Sequence, residues 1–151
     1  MLQNEESLCE EHQRIIVSHD RKSGNQCEHI ARNQKQQKVR QYKLDDILVR
    51  KKITGECCDF AVINDDNRRA YLIELKGQDI QKGISQLKAG ALLLREDIPS
   101  YELFYRYIYR TSTHEVRSSD TQKWIRKAGR FKGIPKVIVK NMRLEEDIDG
   151  E

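Results

Sequence analysis

No stretch of this 151-residue chain is apolar enough to span a bilayer. Its longest apolar run is Ala91 to Leu94, with Ala89-Gly90 ahead of it, against the roughly 20 residues that a membrane helix needs. The amino-terminal stretch MLQNEESLCEE lacks the basic start and apolar run of a secretory signal, so a cytoplasmic protein with no membrane partner is expected. Internal repeats and low-complexity linkers are missing as well. Cysteine is limited to Cys9, Cys27, Cys57 and Cys58; without a signal these are expected to be reduced thiols rather than a disulfide framework. Their spacing beside His12 and His29 matches no familiar zinc finger, so buried structural cysteines are the better reading. His19 and His114 fall in expected loops with no serine or cysteine partner in view, which leaves nucleophilic catalysis without a candidate.

What the chain has is charge, unevenly placed. The composition is 37% hydrophobic and 34% charged, with a net charge of +4, and the length suits one domain with a real core. From Arg117 to Arg143 there are nine Lys or Arg against the single acid Asp120, and from Arg32 to Lys52 eight against Asp45 and Asp46. The last seven residues carry five acids. Segregation of this kind fits a polyanion-binding face with an acidic tail elsewhere, although a solvated basic surface gives the same pattern. Residues 1–144 are read as one domain and 145–151 as an acidic, disordered tail.

Periodicity gives the elements. Leu8, Cys9, Ile15 and Ile16 fit an amphipathic helix over Glu5 to Val17, and Asn25 can cap a second helix running to about Gln37 with Cys27, Ile30 and Ala31 inward. Val39 to Val49 reads as a strand broken near Asp45-Asp46. Two β-rich runs, Cys57 to Ile63 and Arg68 to Gly77, flank the turn formers Asn64 to Asn67 and read as an antiparallel hairpin. Ile80, Ile84, Leu87, Ala91 and Leu94 then mark a helix over Asp79 to Arg95. Tyr101 to Arg110 alternates strictly, with Tyr105, Tyr107 and Tyr109 on one side and Phe104, Arg106 and Ile108 on the other; this is read as one half-buried sheet face rather than a base-stacking platform. A short basic helix capped by Asp120 or Thr121 and a strand from Ile134 to Val139 complete the order. Trp124 and Ile125 either anchor that helix in the core or offer Trp124 to a nucleic acid.

The hairpin carries the candidate chemistry. Residues two apart in a strand share a face, so Glu74 and Lys76 project together with Leu72, while Tyr71, Ile73 and Leu75 face the other way. Asp59 lies on the partner strand at the same end, remote from the turn. Two carboxylates and an ammonium beside apolar strands are costly to bury unless paired or bound to a cation. The alternative is a surface ion pair of little consequence.

Asp59, then Glu74-Leu75-Lys76 fifteen positions on, then Gln86 ten positions after Lys76, set on strand, turn, strand and helix, resemble the PD-(D/E)XK nuclease superfamily. The resemblance covers about residues 25 to 110 and implies an α/β fold with a mixed central β-sheet flanked by helices, the restriction-endonuclease-like αβββαβ core. It also implies Mg²⁺ or Mn²⁺ held by Asp59, Glu74 and the Leu75 carbonyl, with hard oxygen ligands that suit these ions. Lys76 would position water and offset developing charge, and Gln86 would orient the water or a phosphate. Cys58 stands where the family name has Pro, and Gly90 where some members carry Tyr. Some members add a glutamate from the first helix; Glu28 is the nearest candidate, with Glu10 and Glu11 as rivals.

The expected function is a metal-dependent nuclease hydrolysing DNA, with RNA as the other polymer to consider and a homodimer favoured if one site per subunit is to cut both strands. Lys123, Arg126, Lys127 and Arg130 are the expected phosphate contacts. The alternative is a non-catalytic module of the same fold that binds nucleic acid or a partner protein.

Overall fold

Alternation along the strands divides the apolar residues between the two faces of one sheet. The computed structural model describes residues 2–20, 26–76, 79–110 and 118–150. After a 3-10 turn at Asn4–Glu6 come β1 (Ile15–His19), β2 (Glu28–Arg32), β3 (Val39–Lys43), α1 (Leu44–Arg50), β4 (Phe60–Asn64) and β5 (Arg69–Lys76). The chain continues through α2 (Ile80–Asp97), β6 (Glu102–Tyr109), α3 (Ser119–Ala128), β7 (Arg130–Phe131), β8 (Ile134–Pro135), β9 (Val137–Asn141) and β10 (Arg143–Asp147). The main sheet has the order β3-β4-β5-β6-β9. Its first three strands form an antiparallel meander, while β6 runs parallel to β5 and β9 parallel to β6.

Leu72 and Tyr107 on one face pack with Leu44, Ile47 and Leu48 of α1 and with Ile84, Leu87 and Leu94 of α2; half-buried Tyr105 and Trp124 join them. Tyr71, Ile73, Leu75, Phe104 and Ile108 on the other face pack with Ile16, Ala31 and Leu144 of a second sheet, order β1-β2-β10. The mixed α/β class is as expected, but helices do not flank both faces. The three helices join one face, and a three-stranded sheet covers the other.

That second sheet replaces two expected helices. Ile15-Ile16-Val17 is a β-branched run, stiff at χ1 and suited to a pleated surface, and its burial alternates as β1. The segment expected to be helical from Asn25 instead forms β2, paired antiparallel with β1 and parallel with β10, more than a hundred residues away in the chain. Asn25 itself, like the rest of residues 21–25, lies outside the described residues. The expected break at Asp45-Asp46 is a change of element: β3 stops at Lys43 and α1 begins at Leu44, with both acids in its first turn and Arg50 in its last, the signs that the helix dipole favours.

The hairpin, α2 and β6 form, but β4 starts at Phe60 rather than Cys57, so Cys57, Cys58 and Asp59 precede the strand they were expected to belong to. Asn64 Oδ1 accepts from the Asp66 and Asn67 amides at 3.0 and 3.3 Å, an Asx turn that closes β4 onto β5. Asp79 caps α2 by accepting from the Lys82 amide at 3.1 Å. Ser118, rather than Asp120 or Thr121, caps α3 by accepting from the Thr121 amide at 3.3 Å.

Two glycines set how closely α2 approaches the sheet. A Cβ at Gly83 would overlap the Tyr107 ring, and one at Gly90 would meet Cys58 Sγ at 2.6 Å and Leu72 Cδ2 at 3.2 Å. Gly83→Ala is therefore expected to destabilise by about 1–3 kcal/mol through overpacking, although alanine is worth about 1 kcal/mol more than glycine in an unobstructed helix. A rise in the urea midpoint would contradict this packing.

The acidic tail, expected to be disordered, is ordered up to Gly150. Glu145, Glu146 and Asp147 belong to β10, Ile148 is fully buried, and Asp149 Oδ2 accepts from the Lys35 amide at 2.8 Å. The Asn64 and Asn67 side-chain amides both donate to the Ile148 carbonyl, at 3.0 and 2.8 Å. Below the sheet, Glu146 receives Arg106 through two bonds, Nε to Oε2 at 2.7 Å and Nη2 to Oε1 at 3.0 Å, and His29 Nε2 lies 2.7 Å from Oε2. Arg106 Nη1 donates to the carbonyls of Tyr105, Pro135 and Lys136 at 3.0–3.2 Å.

Candidate functional site

Pairing of β4 with β5 ends at Phe60 opposite Ile73. One step further, Asp59 lies opposite Glu74, and side chains continue the ladder that the backbone has left. Glu74 Oε1 accepts from the Asp59 amide at 3.2 Å, and Asp59 Oδ2 accepts from the Leu75 amide at 2.9 Å. Both carboxylates are buried, Asp59 at 5% and Glu74 at 4% exposure, so the expected convergence of these two residues is present. The bonds fix the orientation of each carboxylate.

Leu75 is fully buried on the opposite face of β5, as read from the alternation. Its amide leaves by the β4 edge to reach Asp59. A strand residue sends its carbonyl out by the same edge, so the Leu75 carbonyl is directed to the side where β4 has ended. Lys76 closes β5 in register with Tyr109; its side chain lies outside the described residues. Gln86 is half-buried on α2, on the stretch between Gly83 and Gly90. A tyrosine in place of Gly90, as in part of the superfamily that the motif resembles, has no room here beside Cys58 and Leu72.

The third-carboxylate candidates do not join this cluster. Glu28 is in β2, across the sheet from α2, and pairs with Arg143 at 3.0 Å. Glu10 and Glu11 are exposed, and the Glu11 carbonyl accepts from the Val39 amide at 2.7 Å. Val39 pairs with Asn64 at the turn end of the hairpin, the end remote from Asp59.

Neighbours that the linear pattern did not single out are Tyr107 and the two cysteines. Tyr107 is in register with Glu74 and so shares its face; strict alternation of the strand was the available signal, but the register was not. Cys58 is fully buried next to Asp59, and burial raises its thiol well above the usual range, with the Cys57 thiol and the charges of Glu74 and Asp59 acting in the same direction. Cys58 thus remains a neutral thiol at the edge of the carboxylates.

Among the described residues no three His, Cys, Asp or Glu side chains gather into a metal cluster. Two carboxylates and a carbonyl are nonetheless a donor set that suits Mg²⁺, which is commonly held by one or two carboxylates plus substrate phosphate and water. Buried carboxylates are costly unless paired or bound to a cation.

Further along the same face, Trp124 packs against Tyr105 with ring centroids 6.0 Å apart, so Trp124 serves as the anchor of α3. Lys123, Arg126 and Lys127 of α3, and Arg130 after it, are exposed. Arg126 and Lys127 lie three and four residues after Lys123 and so share one side of α3, whereas Arg130 lies beyond the helix end at Gly129 and opens β7. No helix among the described residues is long and apolar enough to cross a membrane. Comparison with family models, with curated proteins and with solved structures finds no match to this chain.

Proposed function

We propose that this protein is a metal-dependent nuclease that hydrolyses phosphodiester bonds of DNA. The observation that carries the reading is the pair of buried carboxylates, Asp59 and Glu74, brought opposite each other where the hairpin opens. The order β3-β4-β5-α2-β6, three antiparallel strands, a helix and a parallel strand, supports it as the βββαβ portion of the core implied by the resemblance. The leading helix of that core has no counterpart among the described residues, where β2 stands in its place, and α1 interrupts the meander.

Asp59, Glu74 and the Leu75 carbonyl would hold the ion. A bound Mg²⁺ or Mn²⁺ supplies polarisation of the phosphodiester and activation of water. The chain's own contribution is to hold the carboxylates in fixed orientation, to keep them shielded beneath α2, and to offer Lys76 to the charge that develops on the phosphate. Gln86, on α2, would orient a phosphate or water. The exposed cations of α3 give the nucleic-acid backbone a track on the same face of the sheet.

Phosphate tracking makes a quantitative prediction. Binding to duplex DNA should weaken with rising salt, and Lys127→Ala should reduce the slope of log K against log salt by about 0.9, the value for one phosphate contact. Fluorescence anisotropy across a salt series measures it. An unchanged slope in Lys127→Ala, and likewise in Lys123→Ala and Arg126→Ala, would take α3 out of the interface.

A second reading follows from the carboxylate–amide bonds: Asp59 and Glu74 act only as a clasp that finishes the hairpin, and the domain binds nucleic acid or a partner without cutting. Manganese titration separates the two, since a clasp alone gives no saturable site that Glu74→Gln abolishes.

A further inference from the structure

Extended chain sends consecutive side chains to opposite sides, yet Cys57 and Cys58 turn to the same one. A Cβ built on Gly90 would lie 2.6 Å from Cys58 Sγ and 3.5 Å from Cys57 Sγ. Both sulfurs thus converge on one point beneath α2, where the helix carries no side chain to separate them. Cys57 keeps 7% exposure and Cys58 none, so a small reagent meets Cys57 first. Cys9 and Cys27 belong to the cluster on the other face of the sheet and are remote from the pair. The residue that follows is Asp59, whose amide and carboxylate hold the end of β5.

We propose that Cys57 and Cys58 are a hydroperoxide-sensitive dithiol that closes to a vicinal disulfide and, by turning the chain at Cys58, displaces Asp59 and switches off the carboxylate site. The Cys57 sulfur attacks the O–O bond of hydrogen peroxide, which breaks; Cys57 becomes a sulfenic acid and the first water leaves. The Cys58 sulfur then attacks the Cys57 sulfur, the S–S bond forms, the S–O bond breaks, and the departing oxygen leaves as a second water with the Cys58 proton. Two thiols are oxidised by two electrons in total, and the peroxide is reduced to two waters.

The geometry also makes the step reversible. Adjacent Cα atoms are about 3.8 Å apart, shorter than the roughly 4.4 Å lower end of ordinary disulfides. The ring therefore closes only with backbone movement, and a strained disulfide is readily reduced. Asp59, bonded to β5 on one side and covalently next to Cys58 on the other, takes up that movement. The dithiol chemistry stands by itself; its effect on the site rests on the metal-site reading of Asp59 and Glu74.

The test is to treat the reduced full-length chain with hydrogen peroxide, digest it and weigh the peptides, while following Mn²⁺ binding by calorimetry. The expected result is a Cys57–Cys58 peptide two hydrogens lighter, restored by a dithiol reductant, with the Cys9 and Cys27 peptides unchanged and Mn²⁺ binding weakened only in the oxidised protein. Cys57→Ser, a near-isosteric change at the rim, should keep Mn²⁺ binding and lose its sensitivity to peroxide. A peptide that stays at its reduced mass, or gains oxygen without ever losing hydrogens, overturns the proposal. Equal Mn²⁺ affinity in the two redox states overturns the switch. Absence of Mn²⁺ binding in both states, with the disulfide formed, overturns the metal reading and the switch with it while upholding the dithiol.

Discussion

Replacing Glu146 with alanine is expected to cost about 3–5 kcal/mol of folding stability, the range for removing one partner of a buried ion pair. Arg106 is fully buried and would be left with its charge facing a cavity between the two sheets. The neighbouring Asp147→Ala should cost no more than about 1 kcal/mol, because Asp147 is exposed and its partner Arg32 is only half-buried. Chemical denaturation of the two variants compares them directly. Equal effects would mean that β10 is held by its backbone alone.

The same pair sets an acid limit. Burial by itself would raise the Glu146 carboxyl, but the His29 hydrogen bond together with the charge and hydrogen bonds of Arg106 hold it at about 2, below its ordinary 4.5. A carboxyl depressed on folding contributes stability in full above its unfolded value, and that stability is lost as pH falls through its folded value. The window is thus pH 4.5 down to about 2, and the contribution at stake is roughly 3 kcal/mol. A Glu146→Gln variant should show a flatter pH dependence of stability across that window.

The largest effect on activity is expected from Glu74→Gln. Glutamine keeps an oxygen that can accept from the Asp59 amide, so the end of the hairpin is retained, but it removes the negative charge that a cation requires. Outer-shell partners of metal ligands are each worth roughly 10–100-fold, and a direct ligand should cost at least about a hundredfold in both Mn²⁺ affinity and DNA cleavage. Circular dichroism that matches wild type, alongside lost metal binding, separates this outcome from unfolding. Full cleavage by a folded Glu74→Gln protein would remove Glu74 from the chemistry.

Local signals made the hairpin, α2 and β6 legible in the sequence. A turn cluster between two β-branched runs, apolar residues at helical spacing after Asp79, and strict alternation from Tyr101 each lie within one short window. The same alternation placed Glu74 and Lys76 opposite Leu75, and counting from the turn brought Asp59 level with them. What the sequence concealed depends on distant partners. β2 has helix-compatible spacing around Ile30 and Ala31, and it is a strand because β1 and β10 flank it. The acidic tail has the composition of a disordered segment, yet Arg32, Arg106 and His29 give three of its acids defined partners. Glu28 is a candidate third ligand only on a helix from Asn25; in β2 it pairs with Arg143 instead. Likewise, Cys57 and Cys58 show their common direction only once Gly90 is above them.

The measurement that tests the central claim most directly is a cleavage assay with Mg²⁺ or Mn²⁺ on plasmid, linear duplex, single-stranded and branched DNA and on RNA, comparing wild type with Lys76→Ala. The account predicts metal-dependent cleavage of DNA by the wild type, and its loss in a Lys76→Ala protein that still folds and binds Mn²⁺. Equal cleavage by the two proteins, or no cleavage of any substrate by the wild type, would contradict it.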